Sequence, residues 1–212
     1  MKDFKALIER YKLSFLDGNA NEEHDYETLA EGQSPNIMVI SCCDSRVSPD
    51  LIFSAKPGEI FTVRNVANLV PPFEEKGEFH GTSAALEFAV TGLKISHIVI
   101  LGHSTCGGVK ACLDHAMGEE DTTHFIGSWM SIIKDVAEKA KEIVAKDQTA
   151  SDIQLVTELE AIKESIQNLQ TFPFINDAID AGQLDIHGLH FDIGSAQLRI
   201  LDKETEQFQI LS

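Results

Sequence analysis

The sequence predicts an α/β fold in which a mostly parallel central sheet is flanked by helices, with an N-terminal helical arm and a C-terminal strand hairpin. Three observations predict it. Short unbroken apolar runs such as Ile37 to Ile40 and Ile98 to Leu101 are bounded by turn residues, the pattern of strands buried on both faces. Between the second and third such runs lies a stretch of helix-forming residues, which implies a crossover and hence parallel pairing. The last part of the chain returns to strand-like segments separated by a Gly-Ser-Ala break.

In order, Phe4, Leu7, Ile8, Tyr11 and Phe15 recur at helical spacing and give an amphipathic arm. A polar stretch to Pro35 leads into the strand Ile37 to Ser41. Ile60 to Arg64 and His97 to Leu101 read as further buried strands, with Gly81 to Leu93 as the helix between them. Trp129, Ile132, Ile133, Val136, Ala140, Ile143 and Val144 form one helical stripe, and Leu155, Leu159, Ile162, Ile166 and Leu169 another. Phe174 to Ala181 is a shorter helix stopped by Gly182. Leu189 to Ile193, Gln197 to Leu201 and Gln207 to Leu211 are strands, with a hairpin at Gly194-Ser195-Ala196.

The 212 residues fit one domain spanning 1–212, because a 43% hydrophobic chain without linkers or repeats can bury a sizeable core. Asp and Glu number 34 against 17 Lys and Arg, for a formal charge of -17. Such a surface repels phosphate backbones and anionic lipid, so no nucleic acid or membrane is expected as a partner. The charged start Met1-Lys2-Asp3-Phe4-Lys5 lacks the apolar core of a signal peptide, and no apolar run is long enough to cross a bilayer. A cytoplasmic location is expected, where Cys42, Cys43, Cys106 and Cys112 stay reduced and point to metal binding or catalysis before disulfides.

Two segments carry the chemistry, each directly after a predicted strand: Cys42-Cys43-Asp44-Ser45-Arg46, and Gly102-His103-Ser104-Thr105-Cys106-Gly107-Gly108. If the strands are parallel neighbours, both loops lie at the carboxyl end of the sheet, where such sheets bind ligands. His103 and Cys106 on one turn, with Cys42 from another strand end, can hold one ion. Sulfur with imidazole selects Zn2+, and three protein ligands leave one position open. Asp44 can reach the metal itself or accept a hydrogen bond from metal-bound water. Arg46 can pair with it bidentately. Other readings of the same residues are buried core cysteines, a phosphate-binding turn that lacks the P-loop lysine, and a structural Asp44–Arg46 ion pair.

C-x-D-S-R at Cys42 to Arg46, followed by H-x-x-C-G-G at His103 to Gly108, resembles the β-class carbonic anhydrases. Val63-Arg64-Asn65-Val66-Ala67-Asn68 and the helix start at Gly81-Thr82-Ser83-Ala84-Ala85 are also similar to that family. The resemblance implies a zinc enzyme, a lyase, that hydrates carbon dioxide reversibly to bicarbonate and a proton by zinc-hydroxide attack. It assigns Cys42, His103 and Cys106 to one zinc ion per subunit, and Asp44 with Arg46 to the catalytic pair. It places Gln33, Phe61, Val66, Phe88 and Gly107 around the substrate. Phe88 stands where many plant-type members carry tyrosine, which removes a hydroxyl. Cys43 falls at a variable position and is read as a supporting or core residue.

In another subclass, bicarbonate binds beside the site using a tryptophan and a glycine. Val39 and Ser41 occupy those places here, so the resemblance is to the plant-type subclass without a bicarbonate gate. It also implies a homodimer or higher homo-oligomer, a tetramer included, with the arm of residues 1–33 packed on a partner subunit. Packing of that arm on its own core is the alternative. His80, His97, His115, His124, His187 and His190 read as surface or core residues, and none is singled out as a proton shuttle. Competing functions are a non-catalytic zinc-thiolate protein, a relative acting on carbonyl sulfide or carbon disulfide, and thiol redox at Cys42–Cys43.

Overall fold

A computed structural model describes residues 2–17, 25–77, 80–120, 123–143 and 149–211. Met1 and Val144 lie outside them, as does the side chain of Ile143. The centre is a six-stranded sheet formed by β1 (Ile37–Cys42), β2 (Ile60–Asn65), β3 (His97–His103), β4 (Asp185–Asp192), β5 (Gln197–Leu201) and β6 (Phe208–Ile210), in the order β2-β1-β3-β4-β5-β6. The first three pairings are parallel and the last two antiparallel, so the predicted hairpin at residues 194–196 is present and continues into β6.

The helices follow the sequence with local differences. The arm is α1 (Lys2–Tyr11), prolonged by a wider π-helical turn over Lys12–Leu16. Two short helices, α2 (Tyr26–Leu29) and α3 (Pro49–Ile52), escaped the periodicity because four residues carry no repeat to read. The predicted helix from Gly81 to Leu93 is α4 (Gly81–Glu87) followed by a π-helical turn over Phe88–Leu93. Then come α5 (Gly107–Ala116), α6 (Ile126–Met130), α7 (Lys134–Ile143), α8 (Ala150–Leu169) and α9 (Pro173–Asp180). A capping box at Thr149 and Asp152 starts α8, satisfying two backbone donors that the helix cannot pair. Beyond α9, Gly182 takes a φ of +67, which a residue without Cβ adopts at no steric cost.

Strand β4 begins at Asp185 rather than Leu189. Its first residues, Asp185, His187 and Gly188, do not read as a buried strand, yet they pair in parallel register with His97 to Ile100. Polar side chains there meet each other: the His187 ring lies beside that of His97.

One face of the sheet supplies Met38, Ile40, Ile98 and Ile100 to a core closed by Leu86, Ile162, Leu169 and Phe172. Burying each such side chain contributes about 1.5–3 kcal/mol. Toward the carboxyl ends of the strands a second cluster gathers Cys42, Cys106, Val109, Leu113, Ile133 and Ala137. Helix α8 spans both because the sheet offers no side chain beneath it at two points. A Cβ on Gly102 would lie 2.7 Å from Ile162 Cδ1, and one on Gly188 would lie 2.9 Å from Ile162 Cγ2. In the arm, Phe4, Leu7, Tyr11, Leu13 and Leu16 are 53–68% exposed, so its own core does not cover it. Among the described residues no helix is long and apolar enough to cross a membrane.

Candidate metal centre

Parallel pairing of β1 with β3 brings the two motif loops together at the carboxyl end of the sheet. Cys42 is the last residue of β1 and His103 the last of β3, while Cys106 caps the amino end of α5. Thr105, between the last two, adopts a φ of +56, a left-handed turn that swings Cys106 back toward Cys42. The two Sγ atoms are 3.9 Å apart, and the ligand atoms of Cys42, His103 and Cys106 all lie within 4.8 Å of one another. All three residues are buried, with His103 only 1% exposed.

The donor set fits a zinc ion, as the placement of its imidazole nitrogen and of its two thiols shows. His103 Nδ1 lies 2.9 Å from the Ser104 carbonyl oxygen, which fixes the ring so that Nε2 faces the thiols. That Nε2 is buried and has no hydrogen-bond partner, and such an orphan is costly unless something binds it. The thiols are also short of a cation. Contact with Cys106 pulls the Cys42 thiol below its ordinary value, against the opposing effect of burial, and the same contact with Cys42 pushes Cys106 up. Two thiols this close cannot both ionise unless positive charge sits between them. Backbone N–H groups of Asp44 and Ala67 point at Cys42, and those of Gly108 and Val109 at Cys106. They stabilise sulfur anions, as does the amino end of α5 beside Cys106.

Asp44 stands at the open side. Arg46 grips it bidentately, with Nε 2.9 Å from Oδ1 and Nη2 2.6 Å from Oδ2, and the Arg46 backbone N–H donates to Oδ1 at 2.9 Å. Arg46 in turn donates to the Thr105 carbonyl at 3.1 Å, tying the two loops together. Its guanidinium holds the Asp44 carboxyl well below the usual carboxylate range. The pair therefore adds stability above the unfolded value of about 3.9, and this is lost as the pH falls through the depressed folded value. Asp44 Oδ2 is 4.0 Å from His103 Nε2, close enough to face whatever the ligands hold.

Several supporting residues were not legible from sequence. Arg64 donates to the carbonyls of Cys42, Asp44 and Val47 at 2.9, 2.7 and 2.9 Å and so clamps the first loop. The buried carboxylate of Glu158 on α8 accepts from the Cys106 N–H at 2.9 Å and from Gln154 at 2.9 Å, and its other oxygen lies 3.2 Å from His190 Nε2. Arg199 Nη1 approaches His190 Nδ1 at 3.4 Å. The one available hint was a glutamate inside an apolar helical stripe. Cys43 is exposed, not a core or supporting residue, because the backbone N–H it donates to Asn65 turns its side chain outward from the end of β1.

The predicted substrate residues divide into two groups. Val66 and Gly107 are near the ligands: Val66 Cγ1 lies against Gly108, and a Cβ at Gly107 would meet nothing within 4 Å. Gln33 precedes the amino end of β1 and is exposed. Phe61 pairs with Met38 in register, about 13 Å of strand away from Cys42. Its ring packs 5.9 Å from that of Phe88, which is also exposed. Within one chain Phe61 and Phe88 pack together away from the ligand set, and Gln33 lies before the opposite end of β1 from Cys42.

Residues 37–198 match the carbonic anhydrase family pattern. Among curated proteins, the chain is 38% identical over 178 residues to β carbonic anhydrase 6, mitochondrial, of Arabidopsis thaliana, covering 84% of this chain and 60% of that one. It is 36% identical over 205 residues to β carbonic anhydrase 3 of the same plant, covering 93% and 79%. Thus it spans less than two thirds of the first relative's length. Among solved structures, the β-carbonic anhydrase CcaA superposes with a TM-score of 0.89 at 27% identity, covering 100% of this chain and 93% of that one. A tetrameric β-carbonic anhydrase of Sordaria macrospora gives 0.83 at 29% identity, covering 95% and 98%. With the matched pattern running through both loops and on through the sheet to β5, the chain belongs to the β-class carbonic anhydrases.

Proposed function

We propose that this protein is a zinc-dependent lyase that converts carbon dioxide and water reversibly to bicarbonate and a proton. The observation that carries it is the convergence of two buried thiols on the unpartnered Nε2 of His103, beside a carboxylate already committed to an arginine. Zinc held by Cys42, His103 and Cys106 would supply Lewis acidity, making water a nucleophile near neutral pH. Asp44 accepts a hydrogen bond from that nucleophile and aims its lone pair at the substrate, and Arg46 keeps Asp44 ionised and pointed. Val39 and Ser41 are 2% and 0% exposed, and Asp44 is held on both oxygens. This supports the plant-type reading, in which Asp44 stays with Arg46 and the fourth position is open to water. A reducing compartment such as the cytoplasm belongs to the same reading, since the thiols must stay reduced.

The test is zinc content together with stopped-flow carbon dioxide hydration from pH 6.5 to 9. Wild type should carry one zinc per chain and turn over, and Asp44→Asn should keep zinc and lose roughly 10–1000-fold in kcat. Full zinc occupancy without hydration at any pH would sink the assignment. Equal rates in both proteins would sink the role of Asp44.

Gln33, Phe61 and Phe88 lie away from their own ligand set, and the arm exposes an apolar stripe. Both features support a homo-oligomer in which these residues line the site of a partner subunit, and the Sordaria relative is tetrameric. Sedimentation should show a dimer or larger species for wild type. Phe4→Asp/Leu7→Asp should shift it to smaller species, with zinc retained and activity reduced. An active wild-type monomer would overturn the cross-subunit reading.

A further inference from the structure

The amino end of the parallel sheet carries a second cluster of ligand-type side chains, at the opposite end of β3 from His103. His97 opens β3 and stands in register with Asp185, the first residue of β4, while His187 lies two residues further along β4. His97 Nδ1 is 3.1 Å from His187 Nε2, and that same Nε2 is 3.6 Å from Asp185 Oδ2. All the ligand atoms fall within 4.8 Å of one another. His97 and Asp185 line a surface cleft of about 1050 Å³, together with Ser96 and Asp177, so an ion and its waters have a path in.

We propose that His97, Asp185 and His187 form a second metal site that takes a divalent transition ion such as Zn2+, Ni2+ or Co2+. Two imidazoles and a carboxylate suit borderline metals rather than calcium or magnesium, which favour all-oxygen shells. The spacing also fits. Two imidazole nitrogens on adjacent positions of one ion, each about 2.0–2.1 Å from it, stand roughly 3.0–3.4 Å apart. Both histidines project from adjacent hydrogen-bonded strands, so their spacing is set by the sheet and not by a loop. Burial pushes the His187 imidazole below its ordinary value, favouring the neutral ring that donates a lone pair.

Without an ion, the two facing nitrogens share one hydrogen bond. Binding moves that proton to the outer nitrogen of its own ring by tautomer exchange, so both inner lone pairs face the metal with no proton lost. Asp185 Oδ1 is engaged by Lys203 and by the Ile186 N–H at 3.0 Å, which leaves Oδ2 for the ion. Lys203 is the competing cation. Removing its charge should strengthen metal binding, and a merely structural histidine pair gives no such result.

The experiment titrates zinc-loaded protein with Ni2+ by calorimetry and counts retained metal after desalting. Wild type should take a further equivalent beyond the first zinc. His97→Asn/His187→Asn should lose that equivalent and keep the first. Asp185→Asn should weaken it roughly 10–100-fold, and Lys203→Gln should tighten it several-fold, a gain that misfolding cannot produce. Absence of a further equivalent in wild type, its persistence in the double variant, or weaker binding in Lys203→Gln would each overturn the proposal.

Discussion

At its carboxyl end β3 delivers His103 to two thiols in a buried pocket, whereas at its amino end it delivers His97 to a second imidazole and a carboxylate beside an open cleft. The two triads occupy the same strand and differ in everything around it. The sulfur end is furnished before any ion arrives: backbone N–H groups face both thiols, Arg64 ties three carbonyls of one loop, and Glu158 receives the backbone N–H of Cys106. The nitrogen end has one strand register, one hydrogen bond between rings and a lysine that competes for its carboxylate. The sulfur end also stands to lose most without metal, with a buried nitrogen unpaired and two thiols contending for a proton. On the proposed reading, a metal would reside at the first end and exchange at the second.

The sharpest way to break this contrast is to strip the support from the sulfur end alone. Glu158 is 3% exposed and has both oxygens occupied, by Cys106 N–H and Gln154 on one side and His190 on the other. Glu158→Ala leaves the Cys106 N–H and His190 Nε2 without their acceptor, while Gln154 keeps the Cys106 carbonyl at 3.2 Å. It should weaken zinc binding at the first site roughly 10–100-fold, the usual cost of losing an outer hydrogen bond to a ligand. Glu158→Gln keeps an acceptor oxygen for Cys106 and should recover much of that loss. Competition with a chelator reads both variants, and Ni2+ titration of the second cluster should be unchanged in each. Equal zinc affinity for wild type and Glu158→Ala would show that the carboxylate supports packing and not the ligand loop.

How much of this could be read from sequence follows the same division. Strands β1 and β3 announce themselves as apolar runs because both faces are covered, and the two motif loops directly follow them, whereas β2, read from its apolar run as equally buried, is an edge strand whose residues are half-buried or exposed. The meeting of Cys42 with Cys106 then follows once β1 and β3 are parallel neighbours, while the strand order and register come from the structure. The amino half of β4 was hidden because Asp185, His187 and Gly188 satisfy contacts that no periodicity encodes: an ion pair, a neighbouring imidazole and close approach of Ile162. Glu158 and His190 were hidden for the same reason. The first lies 52 residues from the backbone group it receives and the second sits between Leu189 and Phe191, where strand alternation alone explains it. Chemistry carried by local spacing was legible. Chemistry created by two distant segments touching was not.

A smaller effect sharpens the contrast further, through the packing that lets α8 reach the sulfur end. Gly102 directly precedes His103, and a Cβ there would sit 2.7 Å from Ile162 Cδ1 and 3.0 Å from Ile162 Cγ1. Ile162 is fully buried one helical turn after Glu158, so it cannot yield without moving the carboxylate that holds Cys106. Gly102→Ala should therefore destabilise the fold by about 1–3 kcal/mol, the usual cost of overpacking a filled core. It should also slacken zinc binding at the first site by a factor smaller than Glu158→Ala causes. The matching change at the other glycine, Gly188→Ala, meets the same isoleucine at 2.9 Å but lies beside His187. Denaturant melts and chelator competition on the two variants separate the cases. Comparable stability losses should accompany a zinc defect in Gly102→Ala alone. A zinc defect of equal size in both would mean that Ile162 transmits strain along all of α8 and that the two ends of the sheet are not independent.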